Sequence, residues 1–216
     1  MSKAGRTSTE TVPATEIVLE AVGSISQIDK ADWDACAAPP RTAYNPFISH
    51  DFLAAAENSG AAVPRTGWAA RHLVARQGGA VVGVVPCYLK SHSQGEYVFD
   101  HGWADAYMRA GGAYYPKLQA AVPFTPATGP RLLVRDGADT DEVRTALARG
   151  LIGLCKATQA SSVHVTFARE DEWRFLAGHG FLQRTDQQFH WHNHGFASFD
   201  DFLATLASRK RKALKR

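Results

Sequence analysis

The sequence contains few cysteines and no long hydrophobic run. Its three cysteines, Cys36, Cys87 and Cys155, are odd in number and far apart, so they match neither a disulfide framework nor a paired metal-binding motif. No segment approaches the roughly 20 apolar residues that span a bilayer, and the N-terminus lacks the apolar run of a secretory signal. We therefore expect reduced thiols and a soluble, cytoplasmic protein without a transmembrane segment.

The first residues also lack hydrophobic patterning. Residues 1–12 have no apolar period and no aromatic side chain, which predicts a disordered tail. The whole chain of 216 residues is nevertheless 45% hydrophobic and 10% aromatic, enough for the core of one large domain. We place this domain at residues 13–197.

The positive charge of the chain is confined to its C-terminal end. The formal net charge is +3, yet six Lys and Arg residues lie between Arg209 and Arg216, so the remainder is net negative. The overall basicity therefore does not indicate a nucleic-acid-binding protein. We expect residues 198–216 to form a basic helix that leads into a second, missing C-terminal domain. Because clustered cations attract polyanions, tRNA stays open as a partner.

Hydrophobic periodicity predicts an α/β fold, with α+β character and a mixed sheet. Gln77-Gly78-Gly79 supplies the glycines of a tight turn between two β-rich runs, and Pro86 in the second run predicts irregular pairing. A long helix capped by Asp139 or Thr140 leads into further short elements. The predicted strands are 16–22, 71–76, 80–88, 117–122, 131–134, 162–168 and 181–194, and helices are predicted to begin near Asp29, Ser49, Asp139, Glu170 and Ser198.

Residues 90–130 lose this periodicity while polar and aromatic side chains accumulate. Long irregular segments are usually functional or disordered, and so many aromatics argue against disorder. Transfer of an acyl group to an amine needs a base, an oxyanion donor and groups that orient an anionic substrate. The catalytic candidates are Glu96 or Asp105 as base and Tyr107 or Tyr97 as donor or acid. The substrate-binding candidates are Lys90, His92, Tyr97, Trp103, Tyr115, Lys117, Thr125 and Arg131. The alternative is a large loop whose polar groups satisfy one another.

Three histidines alternate near the C-terminus. On a strand, His190, His192 and His194 would point to one face, a spacing that can ligate a metal. Histidines that line a cleft are the commoner outcome. We therefore assign no metal and select His190 and His192 as substrate-binding candidates.

Several motifs carry a family resemblance. The run Leu176 to Phe181, a helix end followed by Gly-Phe, resembles the second half of a GNAT-superfamily acyltransferase. Further segments, spread over nearly the whole chain after Val12, resemble a bacterial family related to the Fem-type peptidoglycan aminoacyltransferases: 45–50, 90–100, 103–107, 114–117, 123–130, 188–192 and 208–212. The resemblance implies a GNAT-like acyltransferase fold, the first of two tandem domains, acting on a small-molecule or peptidoglycan-precursor substrate.

The chain departs from this family pattern at the expected donor site. Coenzyme A-binding GNAT domains hold the pyrophosphate on a glycine-rich loop before the long helix. Residues 134–141 contain one glycine and three carboxylates here, which would repel phosphate. We therefore expect this domain to bind no cofactor in the usual way, and acyl-coenzyme A or aminoacyl-tRNA to be the donor for the full-length protein.

The resulting hypothesis is an acyltransferase-like protein that transfers an acyl or aminoacyl group to an amine and is inactive as this chain alone. One alternative is a non-catalytic ligand-recognition module built on residues 90–131. The other is a metal-dependent enzyme that uses His190, His192 and His194.

Overall fold

The strand predicted near the N-terminus forms as β1, Ile17–Val22, in a computed structural model that describes residues 16–215. Two capped helices follow, and both predicted starts are confirmed. The Asp29 carboxylate accepts a hydrogen bond from the Ala31 amide at the start of α1, Lys30–Ala37. The Ser49 hydroxyl accepts one from the Phe52 amide in α2, His50–Asn58. The tail predicted for residues 1–12 lies outside the described residues.

The predicted hairpin is longer than expected and bends between two sheets. Its arms are β2 (Trp68–Ala70) with β3 (His72–Gln77), and β4 (Ala80–Val85) with β5 (Cys87–Lys90). The arms bend opposite each other at Arg71 and Pro86, where the Arg71 amide donates to the Cys87 carbonyl at 2.8 Å. The irregularity predicted at Pro86 is therefore the point at which the chain passes from one sheet to the other.

Each sheet has four strands, which confirms the mixed α/β fold class. The first sheet has the order β1-β3-β4-β7 and is antiparallel, with β7 at Leu133–Val134. The second has the order β2-β5-β6-β8, with β6 at Lys117–Ala120 and β8 at Val163–Val165. Strands β6 and β8 run parallel, whereas the other neighbours in this sheet are antiparallel.

The segment 90–130 contains a helix where we predicted an irregular loop. Helix α3 spans His101–Arg109 and buries only Ala104. Its N-cap, Asp100, makes no side-chain capping bond, and Gly102 weakens the first turn. The helix therefore forms without a side-chain capping bond, and its apolar residues Trp103, Tyr107 and Met108 lie at the surface rather than in the core.

Helices cover both faces of the first sheet. The long helix α4, Thr140–Ala157, places Leu147 and Leu151 against one face, together with Leu73 from β3. Helices α1 and α2 place Trp33 and Leu53 against the other face. The α4 side is close-packed, since a Cβ on Gly83 would lie 2.5 Å from the side chain of Val143. Helix α5, Glu170–Ala177, extends the same core through Leu176.

Residues 183–215 form a separate compact unit from residues 16–182. The strand predicted over 181–194 is wrong, because those residues form neither strand nor helix. Ser198 caps a short helix α6, Phe199–Ala204, and a second helix α7 spans Ser208–Leu214, so the single predicted basic helix is two. No helix within residues 16–215 is long and apolar enough to cross a membrane.

Candidate functional site

Three side chains form a row across one end of the second sheet. The strand register places Trp68 opposite Lys90, and Lys90 opposite Lys117, so all three lie on the same face. The Lys90 and Lys117 side chains, the lysine pair, are 0% and 1% exposed. Lys90 Nζ lies 3.5 Å from the centroid of the Trp68 ring, a cation–π contact. Because like charges opposite each other on a sheet repel, the pair requires anions nearby.

Two carboxylates from the following segment supply the negative charge. Glu96 Oε2 accepts a hydrogen bond from Lys117 Nζ at 2.8 Å, and Asp100 Oδ2 accepts one from the same nitrogen at 2.5 Å. Lys90 Nζ lies 4.0 Å from Glu96 Oε1 and donates instead to the Gln94 carbonyl at 3.3 Å. Lys117 is therefore the centre of a buried ion cluster, with Lys90 at its edge.

Hydroxyl groups extend this cluster. Lys117 Nζ donates to Ser93 Oγ at 2.9 Å, and Ser93 Oγ lies 2.7 Å from the Tyr115 hydroxyl. The Tyr114 hydroxyl donates to Asp100 Oδ2 at 2.8 Å. Lys117 thus makes three hydrogen bonds, all that an ammonium can donate.

The carboxylates are less completely satisfied than the lysine. Glu96 Oε1 and Asp100 Oδ1 are buried and have no hydrogen-bond partner within the described part of the chain. Trp68 Nε1 and the Tyr88 hydroxyl, which belong to rings 5.3 Å apart on the same sheet face, are also unpaired there. Buried polar atoms are normally paired, so this sheet face carries hydrogen-bonding groups that its own contacts do not satisfy.

Burial and charge shift the protonation equilibria of the cluster. Burial lowers the pKa of Lys90 to about 7, with Lys117 adding to the shift and Glu96 opposing it. Burial raises the pKa of Glu96 against the influence of Lys117. Burial alone would raise the pKa of Asp100, but the hydrogen bonds from Lys117 and Tyr114, together with the nearby Ser93 hydroxyl, lower it to about 2. Asp100 is the firmly ionised member, while Lys90 and Glu96 are the members that exchange protons most readily.

The lowered pKa of Lys90 makes the stability of the protein depend on pH. Between pH 7 and 10.5 the unfolded chain holds a proton on Lys90 that the folded chain has released, so raising the pH favours folding. From pH 7 to 9 we expect Lys90 to add about 1–2 kcal/mol to the free energy of unfolding, after allowance for solvent screening. Urea denaturation at both pH values measures this change.

The matched comparison uses two methionine variants. Lys90→Met removes the titrating group and is expected to lose the increase, whereas Lys30→Met removes an exposed lysine of α1 and should keep it. An increase of equal size in all three proteins would show that other groups cause it.

The remaining candidates on α3 lie at the surface. Trp103 is 66% exposed and Tyr107 is 48% exposed, four residues apart and hence on one face of the helix. Asp105 is exposed on the same helix, and Tyr97 is exposed just before it. Of the catalytic candidates, Glu96 therefore lies inside the buried cluster, whereas Asp105 and Tyr107 lie in contact with solvent.

Three further candidates have local partners. The Arg131 guanidinium is fully buried and donates to the carbonyls of Pro130 and Ala127 at 3.0 and 2.7 Å. Thr125 donates to the Pro123 carbonyl, and His92 Nδ1 accepts from the Gln94 amide. These contacts organise the backbone of residues 90–131.

The histidines of the C-terminal unit lie on an extended, exposed segment. His190 and His192 have ring centroids 6.4 Å apart in a stacked arrangement. Because the predicted strand is absent, the alternating histidines are not held on one face of a sheet, as a shared metal site would require. No group of three or more His, Cys, Asp or Glu positioned for a metal ion occurs among residues 16–215.

In the loop before α4, where GNAT domains hold the donor, the N-terminus of the helix is already capped by a side chain of this chain. The Asp139 carboxylate accepts hydrogen bonds from the amides of Asp141 and Glu142 at 3.1 and 3.0 Å, the groups a helix N-terminus would offer to a phosphate. A pocket of about 470 Å³ at this end is lined by Asp139, Asp141, Glu142 and Arg149 among others. An anion entering here would meet three carboxylates.

Sequence reasoning missed Trp68, Ser93, Asp100 and Tyr114 as members of the cluster. Asp100 and Tyr114 lie in the segment that the density of polar and aromatic residues singled out, so that signal did locate them. Nothing local connects them to Lys117, because the connection depends on the register of β5 against β6.

The chain belongs to the FemAB-like family, described as peptidoglycan biosynthesis/recognition, whose model matches residues 24–216. The family suggested by the sequence motifs is therefore confirmed. No curated protein matches the chain significantly.

Several solved acetyltransferases show a distant likeness to the chain. An aminoglycoside acetyltransferase from an uncultured soil metagenomic sample matches with 12% identity and a TM-score of 0.47, over 83% of this chain and 99% of that one. Glucosamine-6-phosphate N-acetyltransferase from Arabidopsis thaliana matches with 8% identity and a TM-score of 0.45, over 82% and 99%. The ribosomal-protein-alanine N-acetyltransferase of Brucella melitensis biovar Abortus 2308 matches with 13% identity and a TM-score of 0.43, over 83% and 99%.

Proposed function

We propose that this protein is acyltransferase-like and recognises an amine-bearing, cell-wall-related substrate through residues 90–131. Membership of the FemAB-like family, described as peptidoglycan biosynthesis/recognition, supports this substrate class. The observation that carries the proposal is the ion cluster around Lys117, which lies on the face of the second sheet opposite to the one that packs into the core around α4. A buried cluster of this kind adds little net stability, which supports a role for it in recognition or chemistry.

Helix α3 supplies the groups that contact the substrate. Trp103 and Tyr107 offer exposed rings on one helix face, and Asp105 offers a carboxylate to deprotonate an amine. The Tyr107 ring packs edge-on against Tyr114, with centroids 6.1 Å apart, and Tyr114 donates to Asp100. This chain of contacts links the exposed face of α3 to the buried cluster.

The decisive experiment uses the protein expressed from its complete gene. Acyl-coenzyme A and charged aminoacyl-tRNA are titrated separately by calorimetry, and transfer to candidate amines, including peptidoglycan precursors, is followed by mass spectrometry. We expect one of the two donors to bind and to acylate an amine. Absence of binding by both donors would refute acyl transfer.

A substitution tests the role of Asp105 within that assay. Asp105→Asn is expected to lower kcat about 100-fold, at the low end for a general base because an exposed carboxylate is a weak one, with donor affinity unchanged. Asp136→Asn, in the exposed loop before α4, is the matched control and should leave kcat unchanged. Equal activity in both variants would remove Asp105 from the catalytic step.

A second candidate function is non-catalytic recognition. The complete burial of the ion cluster around Lys117 favours it. Lys90, Glu96 and Lys117 cannot touch a substrate in this conformation, because their side chains are at most 1% exposed. If the protein only binds its ligand, substitutions in residues 90–131 will alter affinity while no donor is consumed. The same transfer assay separates the two functions.

A further inference from the structure

The lysine pair is covered by a segment of the same chain. Residues 91–100, which we term the strap, form neither helix nor strand and connect β5 to α3. The strap contacts the pair through Glu96, Asp100 and the Gln94 carbonyl. Lys117 thus receives both of its carboxylate partners from the strap rather than from the sheet.

The charges of the strap and the pair are balanced. Below pH 7, where Lys90 is protonated, two ammonium groups on neighbouring strands face the two carboxyl groups that the strap brings to one place. A phosphate or pyrophosphate group carries two or more negative charges and several acceptor oxygens on one compact unit. Lysine ammonium groups are common phosphate ligands, and the Tyr115 hydroxyl, from the residues just before β6 rather than from the strap, is a further donor.

The strap carboxylates fit this site incompletely. Each accepts hydrogen bonds through one oxygen: among the residues described, Asp100 Oδ1 is buried with no hydrogen-bond partner, and Glu96 Oε1 lies 4.0 Å from Lys90 Nζ, beyond hydrogen-bond distance. A permanent structural ion cluster is expected to satisfy both oxygens of each carboxylate. The strap backbone is also constrained, since Tyr97 adopts a left-handed conformation with φ of 56°. Both features cost free energy in the closed conformation and so favour replacement of the strap by a ligand.

We propose that Lys90 and Lys117 form a binding site for a phosphate group of the substrate, and that Glu96 and Asp100 of the strap occupy this site until the ligand displaces them. The strap then moves to solvent and exposes Trp68 and the two ammonium groups. The closed cluster is thus the unliganded state of the site. The assignment of the ligand to the substrate rests on the proposed function, whereas the anion site itself does not.

Inorganic pyrophosphate is the probe for this site. Calorimetry on the full chain at low ionic strength is expected to show saturable binding. Asp100→Asn and Glu96→Gln remove competing charge without changing shape, so each should tighten binding about tenfold. Lys90→Met should weaken it by a similar factor, and Lys30→Met, at an exposed position of α1, should leave it unchanged.

Hydrogen exchange on the unaltered protein provides a readout that needs no variant. Amide exchange in residues 91–100 is expected to accelerate when pyrophosphate binds, because the strap leaves the sheet. Acetate, the probe for recognition of a single carboxylate, should bind at least about tenfold more weakly. Slower or unchanged exchange in the strap, equal binding of acetate, or an equal loss of affinity in Lys30→Met would each overturn the proposal. Anion binding without acyl transfer would refute the proposed function alone.

Discussion

Replacing Lys117 by methionine is expected to lower the free energy of unfolding by about 3–5 kcal/mol, because it leaves two buried carboxylates without their shared cation. Lys117 donates to Glu96, Asp100 and Ser93 in a cluster that is at most 1% exposed. Chemical denaturation followed by circular dichroism measures the change. Lys30→Met is the matched control: that lysine pairs with Asp34 and Asp51 at the surface, and its loss should cost much less than the loss of Lys117.

A double variant distinguishes an unpaired charge from lost packing. Lys117→Met combined with Asp100→Asn removes the most strongly ionised carboxylate together with its partner. We expect this protein to be more stable than Lys117→Met alone. Its total loss of stability should be smaller than the sum of the two single losses by a coupling energy of about 1–3 kcal/mol. If the two losses simply add, the methionine variant is destabilised by poor packing and the electrostatic account of the cluster is wrong.

Replacing Glu172 by leucine is expected to cost about 2–4 kcal/mol. This fully buried carboxylate of α5 accepts hydrogen bonds from the amides of Arg131 and Leu132 at 2.7–3.0 Å. Burial raises its pKa, while the two amides oppose that shift. Leucine would leave both amides buried and unpaired, at about 1–3 kcal/mol each before relaxation.

Two further substitutions serve as controls for the Glu172→Leu variant. Glu172→Gln keeps the oxygen that both amides approach and is expected to lose at most about 1 kcal/mol. Glu170→Leu changes an exposed residue of the same helix and should alter stability by less than about 0.5 kcal/mol. Thermal melts of the three proteins compare them directly. If Glu170→Leu loses as much stability as Glu172→Leu, the loss does not come from the two unpaired amides, and this explanation is wrong.

The elements that sequence predicted correctly are those with local signals. Asp29, Ser49 and Asp139 each precede their helix and accept hydrogen bonds from its first amides, so the start of each helix is encoded within a few residues. The hairpin turn at Gly78-Gly79 is equally local, and both glycines adopt positive φ. Such signals need no knowledge of the rest of the fold.

The errors occur where distant residues decide the outcome. Residues 181–194 alternate like a strand, but a strand also needs a neighbour, and the described structure provides none for them. Lys90 and Lys117 were identified as cations, yet their pairing depends on two strands that are joined through α3 and its flanking segments. The segment that holds the candidate site could therefore be predicted from composition, whereas the geometry of the site could not.

The bent hairpin has a consequence for how the protein folds. The β3–β4 pairing closes over a two-residue turn, so its loop-closure entropy is small and we expect it to form early. The β5–β6 pairing must wait for the longer connection through α3, and the parallel β8 for a connection through α4. The nascent first sheet thus serves as the template on which the second sheet grows, and the lysine pair is assembled among the last parts of the molecule.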